Sequence, residues 1–412
     1  MISTINFHLT RNCNYQCKYC FAHFCDTHNQ LSFESRKKLV ATLCEPAWVD
    51  KINFVGGEPT LIGDQLTDLM KVAKSEKNHP VKVSVTTNSS LISAEWIDKV
   101  GECLDILTIS IDSQFEETNR KCGRCCKTTG KVLSKEHYIA LAEACHRNKV
   151  VLKINTVVSS INLNEDLADF INVLRPFHWK VFQVLKVDGE NDTDFQNYAI
   201  TNEDFDNYVE RQRRMLLRQS ILVKESNDLM RGSYLMVNPE GRFFDNSKGG
   251  YTISDPILEV GIDNALQQIH FDDGKFNQRG GNYTIPEPAT EKPVPLVLKS
   301  EGSVPTKLED IVSIESPTDP TNQLSNNKIV FFKNRKSGIL VDFTAAKHIA
   351  ERLHLSSCEM VEVYRGIYVN RMYINEFDGK NILVNTFDEQ PHRIPVSRAH
   401  RQMVWQMVRE PR

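Results

Sequence analysis

The sequence lacks the features that would place it in several large classes of protein. It has no excess charge of either sign, since 50 lysines and arginines stand against 53 aspartates and glutamates; we therefore expect no general affinity for nucleic acid or acidic membranes. It has no basic leader followed by an apolar run, so we expect a cytoplasmic protein without a membrane anchor. With 40% apolar and 25% charged residues, it is neither collagen-like nor disordered nor membrane-spanning in composition.

The first 190 residues alternate short β-branched runs with longer helix-like stretches, the pattern of βα units on a parallel sheet. The length of 412 residues predicts two or three domains. We predict an α/β fold, a partial (βα)6 barrel, whose six strands cover residues 4–10, 51–55, 82–87, 105–112, 151–158 and 180–187.

Four segments follow from this pattern. The barrel is predicted at 1–200, and a C-terminal extension that closes the ligand pocket at 201–285. Seven of the chain's 16 prolines lie within 286–320, which predicts a linker at 286–327. Residues 328–412 regain strand and helix patterns, with helices predicted at 345–355 and 398–409, and indicate a small α+β accessory domain of unknown role.

One face of the predicted strands is polar where a barrel interior should be apolar. Side chains alternate along a strand, and this face carries Asn6, Lys51, Asn53, Lys153 and Asn155. Burying an unpaired lysine costs several kcal/mol, so the pattern indicates a bound anion. The alternative is a reversed register or a sheet face open to solvent.

Ten of the eleven cysteines lie at or before Cys145, and Cys13, Cys17 and Cys20 follow the first strand directly. In a chain without a secretion signal they indicate thiols or metal ligands rather than disulfides. Three thiolates at this spacing suit a [4Fe–4S] cluster with one open iron. The alternative is zinc, which usually draws on two pairs of cysteines; no second pair lies nearby at that spacing.

The cysteine spacing resembles that of radical SAM enzymes, in which the open iron binds S-adenosylmethionine. The resemblance implies that Tyr19 packs near the adenine and that Gly56-Gly57-Glu58-Pro59, after the second strand, contacts the methionine end of the cofactor. It also implies that Asn88 and Ser110 contact the cofactor ribose and carboxylate.

A narrower resemblance, to the viperins, runs in order over residues 2–283. Its segments are 6–11, 51–54, 153–155, 179–183, 189–191, 225–227, 233–235 and 279–281. Viperins convert a nucleoside triphosphate (CTP, UTP or GTP) into its 3′-deoxy-3′,4′-didehydro form, a chain terminator. The resemblance implies an antiviral, anti-phage enzyme of the soluble prokaryotic type, reduced by a flavodoxin- or ferredoxin-like donor.

The viperin resemblance also assigns roles to single residues. It implies triphosphate contacts for basic residues and nucleoside contacts for two asparagines: Lys51, Arg124, Lys153, Lys180, Arg279, Asn6 and Asn155. A barrel lysine can also form a Schiff base, but that needs only one lysine. Tyr234 matches a tyrosine proposed to deliver a hydrogen or proton; its alternative role is core packing.

Two departures from the family pattern leave questions open. The basic loop at 119–127 keeps the family's Gly-Arg pair at Arg124 but lacks the glycines that follow it. Its Cys122, Cys125 and Cys126 we interpret as variable thiols rather than as a second metal site or a redox switch. His178 stands where better-known viperins have arginine, so the preferred base is open. Two other functions remain: a different radical SAM reaction such as peptide modification, and a non-catalytic iron–sulfur interaction protein.

Overall fold

The computed structural model describes residues 4–283 except 26, 77, 194 and 217–218. Beyond residue 283 it describes the segments 294–298, 302–306, 311–315, 329–332, 338–339, 360–364, 367–370, 374–378, 380–385, 391–398, 400–402 and 404. The chain divides into two compact units, Met1–Thr284 and Ile285–Arg412. Among the described helices, none combines the length and the apolar character that a bilayer crossing requires.

The first unit is built on a ten-stranded sheet. Its strands are β1 Thr4–His8, β2 Lys51–Val55, β3 Lys82–Thr87, β4 Ile106–Ser110, β5 Val151–Val158, β6 His178–Gln183, β7 Leu222–Glu225, β8 Leu235–Val237, β9 Arg242–Asp245 and β10 Thr252–Pro256. They lie in the order β10-β9-β8-β1-β2-β3-β4-β5-β6-β7. The strands from β1 to β8 pair in parallel, whereas β9 and β10 are antiparallel.

All six predicted strands are confirmed, but the parallel sheet is larger than the predicted six strands. The added strands β7 and β8 have only four and three residues. The pattern at 234–237 is strand-like and agrees with β8, whereas the four residues of β7 are too few to show the alternation from which a strand is predicted. The sheet therefore extends on both edges into the region predicted as a C-terminal extension.

Helices cover the outer face of the sheet. They are α1 Phe33–Cys44, α2 Asp64–Lys74, α3 Ala94–Val100, α4 Glu116–Lys121, α5 Lys135–Arg147, α6 Ala168–Leu174, α7 Asn202–Met215, α8 Asn227–Met230, α9 Ile257–Val260, α10 Ile262–Leu266 and α11 Asp273–Gln278, with 3-10 helices at Pro59–Ile62, Phe195–Asn197 and Gln219–Ile221. Serine side chains at Ser32, Ser93 and Ser134 accept backbone N–H bonds at the starts of α1, α3 and α5, which fixes where those helices begin.

The core lies between the helices and the apolar face of the strands. Ile5, Phe7, Ile52, Phe54 and Ile154 are fully buried in it. The opposite face carries the polar residues, as predicted. In the ladder Asn6 lies opposite Asn53, and Asn155 lies between Ser110 and Lys180, so the polar side chains form continuous rows across neighbouring strands.

The described part of the second unit consists mainly of antiparallel strands. They are β11 Val294–Leu298, β12 Gly302–Thr306, β13 Ile311–Glu315, β14 Ile329–Phe332, β15 Gly338–Ile339, β16 Met360–Tyr364, β17 Ile367–Asn370, β18 Ile374–Phe377, β19 Asn381–Asn385 and β20 Pro391–Pro395. Strands β11 and β12 pair with each other. The orders β15-β14-β13-β17-β16 and β18-β19-β20 form two further sheets.

The linker prediction for 286–327 is wrong where β11, β12 and β13 lie within it. The prediction relied on proline content. Pro295 and Pro305, however, lie opposite each other in a two-stranded sheet, where half of the N–H groups point outward and proline is tolerated. The predicted helix at 345–355 lies outside the described residues, as does most of the one at 398–409.

Candidate active site

The loop after β1 presents three free, half-buried thiols, those of Cys13, Cys17 and Cys20. Each sulfur accepts from a nitrogen donor. The donors are Tyr15 N to Cys13 Sγ at 3.3 Å, Arg124 Nη1 to Cys17 Sγ at 3.7 Å and Ala22 N to Cys20 Sγ at 3.4 Å. Such donors stabilise negative charge on sulfur and tune an iron–sulfur cluster, so this donor set fits one.

Burial raises the pKa of Cys17 to about 11 and that of Cys20 to about 12. The free thiols are therefore protonated at neutral pH, and binding of iron must displace those protons. No three His, Cys, Asp or Glu side chains of the described residues are arranged to hold one metal ion. A cluster does not need that arrangement, because each cysteine binds a different iron.

The Gly56-Gly57 turn is hydrogen-bonded to the backbone that leads into the cysteine loop. Gly57 N donates to Thr10 O at 2.6 Å, and Glu58 N donates to Asn12 O at 2.8 Å. A Cβ on Gly57 would lie 2.2 Å from the backbone oxygen of Asn12. Only glycine therefore allows β2 and the cysteine loop to approach this closely.

Glu58 is buried, and its carboxylate is occupied by neighbouring residues of the protein. It accepts from Thr87 Oγ1 at 2.6 Å, from Asn88 N at 2.7 Å and from both the backbone and the hydroxyl of Thr60. It thus ties the end of β2 to the end of β3. Its predicted contact with the cofactor stays a prediction, as does that of Asn88, whose Nδ2 lies 3.8 Å from Cys13 Sγ.

Tyr19, Asp112 and Arg124 form a buried group beside Cys17. Asp112 Oδ2 accepts from the Tyr19 hydroxyl at 2.6 Å and pairs with Arg124 Nε at 3.1 Å. Arg124 Nη2 also donates to Ser110 O at 2.5 Å. The sequence grouped Arg124 with the triphosphate cations, whereas its contacts join it to the residues predicted to hold the cofactor.

A second group lies on the polar face of the sheet. Lys51 Nζ and Lys153 Nζ donate to the Tyr283 hydroxyl at 2.8 and 2.9 Å. Both ammonium groups also lie over its ring, 4.4 and 4.6 Å from the centroid. No role was predicted for Tyr283, although its position just after Arg279-Gly280-Gly281 was an available signal. The half-buried His178 packs edge-on against Tyr283, with ring centroids 4.9 Å apart.

Glu225 joins the other two cations of this face. It is completely buried and pairs with Lys180, with Arg279 Nη1 at 3.4 Å, and with the Tyr234 hydroxyl, which donates to it. The Arg279 guanidinium lies 3.6 Å from the Tyr234 ring centroid and also donates to Ser233 Oγ at 2.9 Å. Neither Glu225 nor Ser233 was assigned a role from the sequence, although both lie in segments that resemble the viperins.

The polar face holds more positive than negative charge. Burial lowers the pKa of Lys51 and Lys153 to about 8 and that of Lys180 to about 7. Although burial opposes it, the neighbouring Lys180 and Arg279 hold the pKa of Glu225 below its usual range. Four basic groups with a single buried carboxylate suit an anion that carries several charges, such as a chain of phosphates.

Two asparagines line the same face. Asn6 Oδ1 accepts from Asn53 Nδ2 at 2.9 Å. Asn155 Oδ1 is buried and has no hydrogen-bond partner among the described residues. Leaving a buried acceptor unpaired is costly, so this atom is suited to receive a ligand hydroxyl beside Lys180.

The cysteine-rich loop at 119–127 lies against the cluster loop rather than forming a site of its own. Cys122 O accepts from Lys18 N at 2.9 Å, and Cys126 forms an isolated antiparallel bridge with Tyr15. Cys122 is buried, while Cys125 and Cys126 are half-buried free thiols.

Known proteins resemble this chain in both sequence and fold. Residues 7–174 match the family model of the Radical SAM superfamily. The chain is 39% identical over 289 residues to an S-adenosylmethionine-dependent nucleotide dehydratase of Flammeovirga pacifica, covering 69% of this chain and 96% of that one. A relative of the same name from Lacinutrix mariniflava is 39% identical over 292 residues, covering 68% of this chain but only 58% of that one.

A vertebrate relative and a solved structure also resemble this chain. The S-adenosylmethionine-dependent nucleotide dehydratase RSAD2 of Oncorhynchus mykiss is 38% identical over 288 residues, which is 68% of this chain and 80% of that one. The solved structure of anSMEcpe with bound AdoMet and Kp18Cys peptide has a TM-score of 0.52 at 17% identity, covering 68% of this chain and 83% of that one; it supports the fold alone. The Radical SAM domain confirms the two predicted cofactors, a [4Fe–4S] cluster and S-adenosylmethionine. The chain belongs to the S-adenosylmethionine-dependent nucleotide dehydratases, the viperin family of radical SAM enzymes.

Proposed function

We propose that the protein dehydrates a nucleoside triphosphate to its 3′-deoxy-3′,4′-didehydro form, as an antiviral, anti-phage chain terminator. The observation that carries this proposal is the cation group on the polar face of a radical SAM sheet, which consists of the buried Lys153, Lys180 and Arg279 and the half-buried Lys51. Its surplus of positive charge needs an anionic ligand, and relatives of the chain are named as nucleotide dehydratases.

The residues near the cysteine loop would hold the cofactors. Cys13, Cys17 and Cys20 would each bind one iron. Arg124 and Ser110 lie together beside Cys17, and a guanidinium there suits the cofactor carboxylate. When bound, the cluster and S-adenosylmethionine supply a 5′-deoxyadenosyl radical that removes the ribose 4′ hydrogen. The sheet and its helices shield this chemistry from water.

The cation group would hold the substrate by its phosphates, with Asn155 and Asn6 near the nucleoside. Tyr234 is the candidate to give a proton to the leaving 3′ hydroxyl, because its own hydroxyl is fixed by Glu225. The reaction balances when the 4′ hydrogen ends in the released 5′-deoxyadenosine, the 3′ hydroxyl leaves as water with one proton, and one electron completes the product. A second electron is used in cleaving the cofactor, so a flavodoxin- or ferredoxin-like protein is the proposed donor.

The test is anaerobic turnover of the reconstituted protein with each of the four ribonucleoside triphosphates. We expect 5′-deoxyadenosine to form only with a nucleotide present, and a nucleotide lighter by one water to appear in equal amount. Cofactor cleavage that depends on a peptide instead would indicate peptide modification, and no cleavage at all would indicate an interaction protein. Equal turnover of nucleoside, diphosphate and triphosphate would contradict the phosphate-binding role of the cations.

Cysteine variants supply the control for this assay. Replacing Cys13, Cys17 and Cys20 together by alanine should abolish both the iron–sulfur absorbance and the cofactor cleavage. A triple variant that still cleaves S-adenosylmethionine would contradict the cluster assignment, and iron retained by it would point to Cys122, Cys125 and Cys126.

A further inference from the structure

The loop that departs from the family pattern forms one surface with the cluster loop. Lys127 N donates to Asn14 O at 2.8 Å, and Lys18 N donates to Cys122 O at 2.9 Å. Cys126 bridges Tyr15 between these two contacts. The backbone on either side of the three cluster cysteines is therefore fixed to the basic loop.

This surface carries three exposed lysines, Lys18, Lys127 and Lys131, which we call the basic rim. Within the described part of the chain, no carboxylate pairs with any of them. The neighbouring Arg120 and Lys121, by contrast, pair with Glu116 and Glu117 at 2.5 and 2.8 Å. An unpaired surface cation keeps its field, which reaches about 8 Å at physiological salt.

The basic rim lies next to the cluster ligands. Lys18 directly follows Cys17, and Lys127 N donates to the backbone oxygen of Asn14, the residue after Cys13, at 2.8 Å. Phe21, the residue after Cys20, is 43% exposed. A partner that docks here would meet a cationic surface with one apolar contact beside the cluster.

We propose that the basic rim is the docking surface for an acidic one-electron donor protein of the flavodoxin class. The inference rests on the proposed function, because only an enzyme that needs its cluster reduced needs such a partner. One electron passes from the donor's flavin to the cluster, and no covalent bond forms or breaks. Electron-transfer complexes have small, transient interfaces, and charge complementarity governs how fast they form. Three unpaired lysines form a small cationic patch, which would speed association with an acidic partner.

The test reverses the charge of the rim with the variant Lys18→Glu/Lys127→Glu/Lys131→Glu. Its matched control is Lys71→Glu. Lys71 is an exposed lysine in the last turn of α2. Because α2 runs antiparallel to the strand before it, this turn lies at the opposite end of the strands from the cysteine loop. Binding of purified oxidised flavodoxin is measured by calorimetry at low and high salt. Cluster reduction is then followed with flavodoxin hydroquinone and, separately, with dithionite.

We expect the rim variant to bind flavodoxin at least about tenfold more weakly at low salt and to lose the salt dependence, while the Lys71→Glu protein behaves as wild type. Iron content and reduction by dithionite should be unchanged in both. Unchanged flavodoxin binding, an equal loss of rate with both reductants, or binding of an RNA oligonucleotide in preference to flavodoxin would overturn the proposal. If the rim governs cluster reduction but no nucleotide is consumed, the proposed function fails and the docking surface stands.

Discussion

Lys180 and Glu225 are both buried on the polar face and pair with each other, and Lys180 is one of the basic groups proposed to hold the phosphates. Removing a charged hydrogen bond to the phosphates should cost about 1.5–3 kcal/mol of binding. We therefore predict that Lys180→Ala or Lys153→Ala weakens nucleoside triphosphate binding by roughly 10- to 150-fold, measured by calorimetry, with S-adenosylmethionine affinity nearly unchanged.

The matched control is Lys82→Ala. Lys82 lies directly opposite Lys51 in the sheet but is 42% exposed and pairs with Asp105. This variant should bind nucleotide as the wild type does. Equal loss of both ligands in the Lys180→Ala protein would point to misfolding rather than to a phosphate contact.

A pH dependence follows from the same lysines. In the nucleotide-free protein burial lowers the pKa of Lys180 to about 7 and those of Lys51 and Lys153 to about 8, so their charged fraction falls as the pH rises through this range. The charged form binds the anion. Triphosphate affinity should therefore fall from pH 7 to pH 9, and binding at pH 8 should take up protons, which the buffer dependence of the calorimetric enthalpy measures. Proton uptake as large in Lys180→Ala as in wild type would contradict this assignment.

Removing the negative charge of Glu225 tests the charge balance of the polar face. Glu225→Gln keeps the shape and an acceptor for Tyr234 but leaves Lys180 and Arg279 without a buried counter-ion. Breaking such a pair typically costs about 3–5 kcal/mol. We therefore predict that the free energy of unfolding of the nucleotide-free Glu225→Gln protein falls by about 3–5 kcal/mol. Added CTP should stabilise this variant more than it stabilises the wild type.

The control for this variant is Glu210→Gln, because Glu210 pairs with Arg214 on the surface and its side chain is 53% exposed. Its effect should stay below about 1 kcal/mol. A Glu225→Gln protein as stable as the wild type would show that the cations do not depend on this carboxylate.

The residues that the sequence identified differ in kind from those it missed. Cys13, Cys17 and Cys20 are close in sequence and have distinctive chemistry, so their spacing alone predicts a cluster. Glu225 and Tyr283 acquire their roles only when β7 and the end of the first unit meet β2, β5 and β6. A lone glutamate or tyrosine far along the chain carries no such signal, because its partners are set by tertiary structure.

At the scale of elements, the contact between the β2 turn and the cysteine loop decides whether a cluster can be held. Gly57→Ala would place a methyl group 2.2 Å from Asn12 O and 2.6 Å from Arg11 O, both rigid backbone atoms. Overpacking of this kind typically costs about 1–3 kcal/mol. We predict that the cysteine loop shifts and that iron content after reconstitution falls severalfold.

A glycine in a helix gives the matched comparison. In α11 a Cβ on Gly274 would meet only the Asp272 side chain, at 3.2 Å. The Gly274→Ala protein should load iron normally. Full iron loading of Gly57→Ala would mean that the turn does not support the cluster loop.

Long strands and helices were predictable because their patterns are local. β2, β3 and β5 have the predicted bounds, since each shows alternation over five or more residues. The strand-like pattern at 234–237 agrees with β8. The short strand β7 depends on pairing with β6, which no local pattern reveals. The same holds for β11 and β12, where proline content indicated a linker although the two segments pair along their whole length.

At the scale of the whole molecule, the candidate site is contained in the first unit. The site residues from Asn6 to Tyr283 lie before the division at Thr284. The relative from Flammeovirga pacifica matches 69% of this chain over 96% of its own length, and the first unit makes up about the same share of the chain. The second unit has antiparallel sheets of its own.

We therefore predict that the fragment 1–286 keeps the chemistry of the full chain. It should fold, load iron, bind S-adenosylmethionine and consume nucleoside triphosphate at rates within about twofold of the full chain, because the cation group and the cysteine loop make their described contacts within it. Circular dichroism and iron analysis establish that the fragment is folded and loaded before turnover is measured. If a folded, cluster-loaded fragment lost turnover, residues after 286 would belong to the active site, and the division of the chain into a catalytic unit and an accessory unit would be wrong.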